Sequence, residues 1–258
     1  MRLANLESAV RSARVKGLIA LSLLMFVPAL ASRAKAEAPG GERAYRYELR
    51  ALGAYAGEAI FQIGKSETVG KRALTPIRID GFTAGLTASF LDAKTSSTTW
   101  VDPSWLPVRS RTDQTINKTS RILKVSFEPQ KVAGTDERDG KLFNRIDLKP
   151  DKTHLDLVSI FPWLMNADLS PRAKHSVLVF DGRRLYNVDV TVGMASEVHV
   201  PIGMRRAIPL KIKVSRGEYR REMELWLSAD KERAPLKFVF KYGVVGTVEA
   251  QLVGEKKG

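Results

Sequence analysis

The sequence contains no cysteine. Disulfide bonds and thiolate metal ligands are therefore excluded. A bacterial lipoprotein carries its acyl chains on a cysteine at the mature N-terminus, so we do not expect a lipid anchor of that kind. The folded part of the chain must be stabilised by an apolar core and not by covalent cross-links.

Histidine is also scarce, with only His154, His175 and His199 in the chain. They lie far apart, and none has the spacing of a metal-binding pair on a helix. His154 shares a segment with Asp156 and Ser159, but the members of a catalytic triad normally come from separate elements. No nucleophile elbow surrounds Ser159. We predict no catalytic residue, no metal site and no cofactor.

Paired carboxylates are harder to exclude, because any two acidic residues could meet in the fold and hydrolyse a glycosidic bond. The sequence singles out no such pair. Asp102, Asp156, Asp181 and Asp230 all lie at predicted turns or helix starts, where Asp commonly accepts hydrogen bonds from the local backbone. A hydrolase of carbohydrate or peptidoglycan therefore remains the alternative hypothesis.

Long hydrophobic runs are absent apart from one near the N-terminus. Residues 18–31 form an uncharged stretch of 14 residues, shorter than the roughly 20 that a membrane-spanning helix needs. Basic residues precede it, and the small-polar-small sequence Ala34-Lys35-Ala36 follows it. We predict a secretory signal peptide over residues 1–36, cleaved after Ala36 or, as second choice, after Ala31. The mature chain is then periplasmic and has no transmembrane helix.

Acidic residues are too few to balance the basic ones, and the net charge of the chain is +14. Removal of residues 1–36 takes away six Lys or Arg and one Glu, which leaves +9. Such a charge favours association with anionic surfaces, which in a cell envelope include lipid and lipopolysaccharide. No nucleic-acid partner is expected of an exported protein.

Apolar and polar residues alternate with a period of two through most of the chain. This pattern is typical of strands with one face on a core and one in water. No helical pattern lies between them to connect parallel strands, so the sheet is predicted to be antiparallel. About twelve strands are expected, in a strongly curved sheet that forms a barrel or a sandwich. The clearest segments are residues 45–50, 123–127, 186–192, 210–214, 222–227, 236–242 and 244–253.

One internal segment departs from this period, and it predicts a short helix near residues 153–166. Leu155, Val158 and Leu164 have helical spacing, and Pro162 is expected to break or kink the helix at Phe161. The resulting organisation is a linker over residues 37–43, one β-rich domain over 44–254 and a basic tail over 255–258. No internal repeat stands out.

Tryptophan is the most informative aromatic residue in this chain. Trp100 and Trp226 lie in predicted strands, and Trp163 ends the short helix. Leu225 and Leu227 are predicted to occupy the core face of their strand, so the ring of Trp226 is predicted to lie on the other face. It either lines a groove or is covered by a second layer.

Two lysines complete the candidate binding residues. Lys211 and Lys213 alternate with apolar residues, so both are predicted to face solvent and to contribute to a basic surface. Together with Trp226, Trp100 and Trp163, they are the residues that we predict to contact a ligand.

Several stretches resemble an exported bacterial protein family known as domain of unknown function 3108. The main one is Leu225-Trp226-Leu227-Ser228-Ala229-Asp230 followed by Ala234-Pro235-Leu236-Lys237-Phe238. In that family a tryptophan strand, an Asp-containing turn and a proline-led strand close the domain. The other stretches are residues 45–49 with 57–59, 98–102 with 106–110, 155–159 and 200–203.

The resemblance covers nearly the whole mature chain and implies an exported all-β protein with a curved sheet. It implies no reaction and no catalytic residues. Many relatives have an apolar-aromatic-Leu-Arg sequence in the short helix, where this chain has Phe161-Pro162-Trp163-Leu164-Met165. We predict a periplasmic, non-enzymatic protein that binds an envelope lipid, lipopolysaccharide, a glycan or an envelope protein.

Overall fold

The structure is a computed structural model that describes residues 41–242 and 246–257. The predicted signal peptide and its two cleavage positions lie outside the described residues. Two helices are present, α1 at Gly85–Phe90 and α2 at Ile160–Asn166. The strands are β1 Gly41–Ala51, β2 Ala54–Gly64, β3 Glu67–Val69, β4 Arg72–Thr83, β5 Ala93–Val101, β6 Pro107–Ile116, β7 Thr119–Glu128, β8 Lys131–Arg138, β9 Lys141–Leu148, β10 His154–Asp156, β11 Lys174–Phe180, β12 Leu185–Val192, β13 Ser196–Val200, β14 Gly203–Arg216, β15 Tyr219–Ser228, β16 Pro235–Tyr242 and β17 Gly246–Lys257.

The chain is mainly β, as the alternation predicts, although the seventeen strands exceed the dozen expected. The strands that the structure describes belong to one sheet. Fifteen of them pair in the order β10-β11-β12-β14-β15-β16-β17-β1-β2-β4-β5-β6-β7-β8-β9. The short strands β3 and β13 pair with β4 and β14. Only the pair β10–β11 is parallel among the described strands. The two ends of this order, β9 and β10, do not pair in the part of the chain that the structure describes, so the sheet is not closed.

The strands fall into two blocks of the same connectivity, β1–β7 and β11–β17. In each block the first strand pairs with the second, and the second with the fourth. The third is a short strand that also pairs with the fourth. The fourth to the seventh then pair in succession. The domain therefore contains two copies of a seven-stranded unit, which are separated by β8–β10 and α2.

The correspondence between the two copies extends to individual residues. Trp100 pairs with Pro76 in the first copy, and Trp226 pairs with Pro209 in the second. In both copies the register to the sixth strand shifts directly after the tryptophan. No internal repeat stands out in the sequence, and the repetition becomes visible only in the strand pairing. The copies share pairing register and bulge position, while most of their side chains differ.

Helix α2 is shorter than predicted, because residues 154–156 form strand β10 instead of a first helical turn. Pro162 is the third residue of α2. An N–H group in the first turn has no partner within the helix, so proline is tolerated there and does not break it. The helix buries Leu164 and Met165 in the main core.

The ends of the domain also differ from the expected limits. Strand β1 begins at Gly41, inside the predicted linker, and β17 continues to Lys257, inside the predicted basic tail. Arg43 pairs with Lys257, so the two terminal segments pair with each other as antiparallel strands.

Candidate ligand-binding site

The inward faces of the sheet enclose an apolar cavity of about 600 Å³. Small-molecule sites in proteins commonly measure about 300–1,000 Å³ and are mostly apolar. The cavity receives side chains from both copies of the repeat and from α2. Its aliphatic and aromatic lining includes Leu49, Phe61, Ile79, Val179, Val188, Ile212, Met223, Leu225, Phe238, Phe240 and Val248.

Small side chains leave this volume unfilled. Ala51, Ala56 and Ala59 line the cavity from β1 and β2, and Ala250 lines it from β17. Protein interiors are ordinarily close-packed, so a void of this size is exceptional. An apolar void offers water no hydrogen-bond partners, and a void of this kind favours apolar ligands.

Helix α2 lies against the cavity with Ile160, Phe161 and Leu164. The ring of Phe161 lies 5.8 Å from that of Phe61 and 6.4 Å from that of Phe238, measured between centroids. Arg233 Nη1 donates to the carbonyl oxygens of Met165 and Ala167 at 3.1 and 2.6 Å. The helix is therefore fixed at one end of the cavity by aromatic packing and by two hydrogen bonds.

The opposite end of the cavity is open. Successive turns of an antiparallel sheet alternate between its two ends, so the turn after β1 and the segment after β4 lie at the same end. Leu52 in that turn and Phe90 in α1 both line the cavity, yet they are 72% and 84% exposed. Exposure of two large apolar side chains on a cavity wall marks this end as its mouth.

A few polar groups also reach the apolar cavity. Tyr47 donates its hydroxyl proton to the carbonyl oxygen of Pro235 at 2.7 Å. Burial raises the pKa of Tyr186 to about 12, and its ring lies 5.5 Å from that of Tyr219. Asp181 accepts the backbone N–H groups of Arg183 and Arg184, both at 2.8 Å. Burial raises the pKa of the Asp181 carboxyl.

A second, smaller cavity of about 60 Å³ adjoins the first, and it is called the polar cavity here because polar side chains are mixed with apolar ones in its lining. Leu157 and Asp181 line both cavities. The polar cavity is otherwise lined mainly by β5, β6 and β7. Its hydrogen-bonding side chains are those of Asp181 and of Thr95, Ser97, Ser110, Thr112, Gln114, Arg121 and Asp156.

Hydrogen bonds hold these polar side chains in place. The hydroxyl oxygens of Ser97 and Thr112 lie 2.7 Å apart, and Gln114 Nε2 donates to Thr95 Oγ1 at 3.0 Å. Arg121 donates to both carboxylate oxygens of Asp136 at 2.8 and 3.0 Å. It also donates to the carbonyl oxygen of Gly182 at 3.0 Å, so its guanidinium has several internal partners.

The predicted tryptophan sites lie away from both cavities. Trp226 is half-buried on the face opposite Leu225, with Lys237 Nζ 5.9 Å from its ring centroid. Trp100 is half-buried on β5, with the guanidinium carbon of Arg109 4.5 Å from its ring centroid. Neither ring is among the groups that line the two cavities.

The third predicted tryptophan is on α2. Trp163 is half-buried and meets His175 edge to face, with 5.7 Å between the ring centroids. It does not line either cavity. The fold therefore does not bring the three predicted tryptophans together at one site.

Lys211 and Lys213 are exposed, as the alternation predicts. Their neighbours on β15 carry the opposite charge, because Lys211 pairs with Glu224 and Lys213 with Glu222. The Lys213 ammonium lies 3.7 Å from the Glu222 carboxylate. This surface is therefore a mixed-charge face rather than a purely basic one.

The segment around Ser159 has a structural role. Ser159 is fully buried, and its Oγ accepts the N–H of Asp156 at 3.0 Å. Asp156 Oδ1 in turn accepts the N–H groups of Val158 and Ser159 at 3.1 and 2.7 Å. These reciprocal bonds fix the turn before α2. His154 packs near Phe127 with its pKa lowered by burial.

Within residues 41–242 and 246–257, no group of three or more His, Asp or Glu side chains is arranged to hold a metal ion. In the same residues, neither helix has the length and apolar character of a membrane span.

Comparison with known proteins identifies the family. The model of the family described as protein of unknown function, DUF3108, matches residues 45–253. The chain belongs to this family. The resemblance inferred from the sequence is thereby confirmed, and the match includes both copies of the repeat and both cavities. No curated protein matches the DUF3108 chain.

Solved structures resemble this DUF3108 protein in fold. A β-barrel-like protein of family DUF1849 from Brucella abortus has a TM-score of 0.61 and 14% identity, covering 85% of this chain and 98% of its own. A candidate lipoprotein from Parabacteroides distasonis has a TM-score of 0.33 and 10% identity, covering 84% and 95%. A candidate exported protein with a YmcC-like fold from Bacteroides fragilis has a TM-score of 0.32 and 6% identity, covering 90% and 99%. The first of these supports a barrel-like fold.

Proposed function

We propose that this DUF3108 protein is a periplasmic, non-enzymatic binding protein for a lipid-like amphiphile of the cell envelope. The observation that carries the proposal is the apolar cavity of about 600 Å³. A strongly curved sheet, wrapped around that cavity, would hold the apolar chain of the ligand away from water. The predicted signal peptide would deliver the protein to the compartment where such ligands occur.

The energetics favour an aliphatic chain as the occupant. Burial of each methylene contributes about 0.8 kcal/mol, so ten buried methylenes would contribute about 8 kcal/mol before the costs of association. The mouth at Leu52 and Phe90 gives the chain a route into the cavity, and α2 limits how far it extends.

The test is a fluorescence titration with a dansylated fatty acid. Ala59→Phe replaces a methyl group with a benzyl group at a cavity-lining position, and we expect at least tenfold weaker binding of the probe. Ala73→Phe makes the same change at an exposed position of β4 outside the cavity, and Trp226→Ala removes a ring from the outer face. The Ala73→Phe and Trp226→Ala variants should both bind the probe as tightly as the wild type does.

Ala59→Phe could fail to fold, so a second variant is needed. Met223→Ala enlarges the cavity from β15 and should shift the preferred acyl chain to a longer one. Unchanged chain-length preference in this variant, or undiminished binding in folded Ala59→Phe, would overturn the proposal.

The alternative function is hydrolysis of carbohydrate or peptidoglycan. Asp156 and Asp181 are the two carboxylates that border the polar cavity. Both accept backbone N–H groups of the residues that follow them, which is the ordinary role of Asp at a turn. This favours the binding protein. Release of soluble fragments from peptidoglycan by the wild type, abolished in Asp181→Asn, would favour the hydrolase.

A further inference from the structure

The two copies of the repeat present different chemistry to the interior. In the first copy, Ser97 on β5 lies three residues before Trp100, the tryptophan at the bulge, and Thr99 lies one residue before it. In the second copy, Met223 and Leu225 occupy the same positions before Trp226. The equivalent strands β5 and β15 therefore differ in the polarity of their inward faces.

The sixth strands show the same contrast. Ser110 and Thr112 on β6 follow Arg109, the partner of the first tryptophan. Phe238 and Phe240 on β16 follow Lys237, the partner of the second. The serine and threonine line the polar cavity, and the two phenylalanines line the apolar one. The fifth and sixth strands thus form a hydroxyl-bearing wall in the first copy and an apolar wall in the second.

We propose that the polar cavity binds the small, uncharged, hydroxyl-bearing head group of the amphiphile whose chain fills the apolar cavity. This inference rests on the proposed function. Leu157 and Asp181 border both cavities, so a ligand that passes these two side chains reaches both. The hydroxyl and amide groups of Thr95, Ser97, Ser110, Thr112 and Gln114 supply both donors and acceptors.

The charges around the polar cavity disfavour an anionic head group. Asp156 and Asp181 are both buried at its wall. Arg121 is the basic residue of the lining, and it already contacts both oxygens of Asp136 and the Gly182 carbonyl. A phosphate or carboxylate would meet two acidic side chains and a guanidinium that is already paired.

The size of the cavity limits the head group further. Its volume of about 60 Å³ is about a tenth of that of the apolar cavity. We expect so small a space to accept the hydroxyl groups of a glycerol ester in preference to a sugar ring or a lipopolysaccharide head group. A monoacylglycerol is therefore the appropriate probe.

The experiment compares three ligands with the same acyl chain by displacement of the dansylated fatty acid. We expect the monoacylglycerol to bind about tenfold tighter than the methyl ester, and tighter than the free fatty acid. Thr112→Val removes a hydroxyl from the polar cavity with little change of volume. It should weaken monoacylglycerol binding about fivefold, the typical net value of one hydrogen bond, and change methyl ester binding less than twofold.

Thr98→Val is the matched control, because Thr98 is on β5 but on the opposite face from Ser97 and Thr99. It should leave the binding of all three ligands unchanged. Equal affinity for the three ligands, or an unchanged monoacylglycerol affinity in folded Thr112→Val, would overturn the head-group site while the chain site stands. If the dansylated fatty acid does not bind and none of the three acyl ligands binds, the proposed function itself is wrong.

Discussion

Trp226 lies directly opposite Pro209 across the pair β14–β15. Trp100 lies opposite Pro76 across β4–β5 in the same way. A cationic side chain contacts each ring from the next strand, Lys237 in one case and Arg109 in the other. Two residues singled out separately in the sequence therefore occupy one structural position, repeated on the outside of the sheet.

A glycine beside each of these prolines provides a test of the repeat. A Cβ atom at Gly64 would lie 2.7 Å from Pro76 Cγ, and one at Gly193 would lie 2.8 Å from Pro209 Cγ. Both distances are far below van der Waals contact between carbon atoms. We expect Gly64→Ala and Gly193→Ala each to lower the free energy of unfolding by about 1–3 kcal/mol, the usual cost of overpacking. Urea denaturation measures the change.

Gly254→Ala is the control for this pair, since a Cβ atom there would meet nothing within 4 Å. Its stability should stay within about 0.5 kcal/mol of the wild type. If only one of the two repeat variants is destabilised, the two close approaches are not equivalent and the repeat does not extend to this position.

Alternation in the sequence predicts which faces of the strands are buried. Lys211 and Lys213 are exposed and Leu210 and Ile212 buried because strand side chains point alternately to opposite sides. The same rule correctly places Trp226 on the face opposite Leu225. The local pattern is sufficient for this prediction, because the position of a residue along the strand determines which face its side chain is on.

The cavities depend on relationships that alternation does not contain. From the sequence alone, Ala59 is an ordinary inward-facing residue of a strand. The unfilled volume beside it depends on which side chains face it across the interior, and the alternation does not specify them. Ser97 and Thr112 lie in segments that alternate with a period of two, but the sequence does not show that these polar side chains face the interior. Their orientation becomes clear only from the pairing of β5 with β6. The parallel pairing of β10 with β11 is likewise absent from the local pattern, which predicts a helix for the residues of β10.

The pH dependence of stability should reveal the buried carboxyl of Asp156. Burial raises its pKa above the usual 3.8, despite hydrogen bonds from Thr99, Val158 and Ser159. The folded state therefore retains the proton to a higher pH than the unfolded state does. Consequently, this group makes the free energy of unfolding decrease as pH rises from 3.8 to the raised pKa, and its effect is constant above that window.

We expect Asp156→Asn to remove this contribution. The amide oxygen can still accept the N–H groups of Val158 and Ser159, and the amide nitrogen can donate to Thr99. The free energy of unfolding of the variant, relative to the wild type, should rise through the window. Urea titrations between about pH 3 and pH 8 measure it. Thr99→Val retains the carboxyl and should keep the pH dependence; a flat difference for Asp156→Asn would contradict the prediction.

The mixed-charge face on β14 and β15 allows a test of the predicted attraction to anionic lipid. Lys211→Glu with Lys213→Glu would place two more acidic side chains beside Glu222 and Glu224. Each basic residue near an anionic membrane contributes about 1 kcal/mol. Reversal of both lysines should therefore weaken binding to phosphatidylglycerol vesicles at least tenfold at low salt. Vesicle co-sedimentation against phosphatidylcholine measures the difference.

A second reversal separates a specific surface from net charge alone. Lys65→Glu with Lys71→Glu makes the same change of charge near β3, where both lysines are exposed. If β14 contacts the membrane, this control should lose much less affinity than the Lys211 and Lys213 variant. The difference between the two should fade as salt rises, because exposed charges are screened within about 8 Å at physiological ionic strength. Equal losses in the two variants would mean that only the net positive charge of the protein attracts it to the lipid, because the position of the lysines would then be irrelevant.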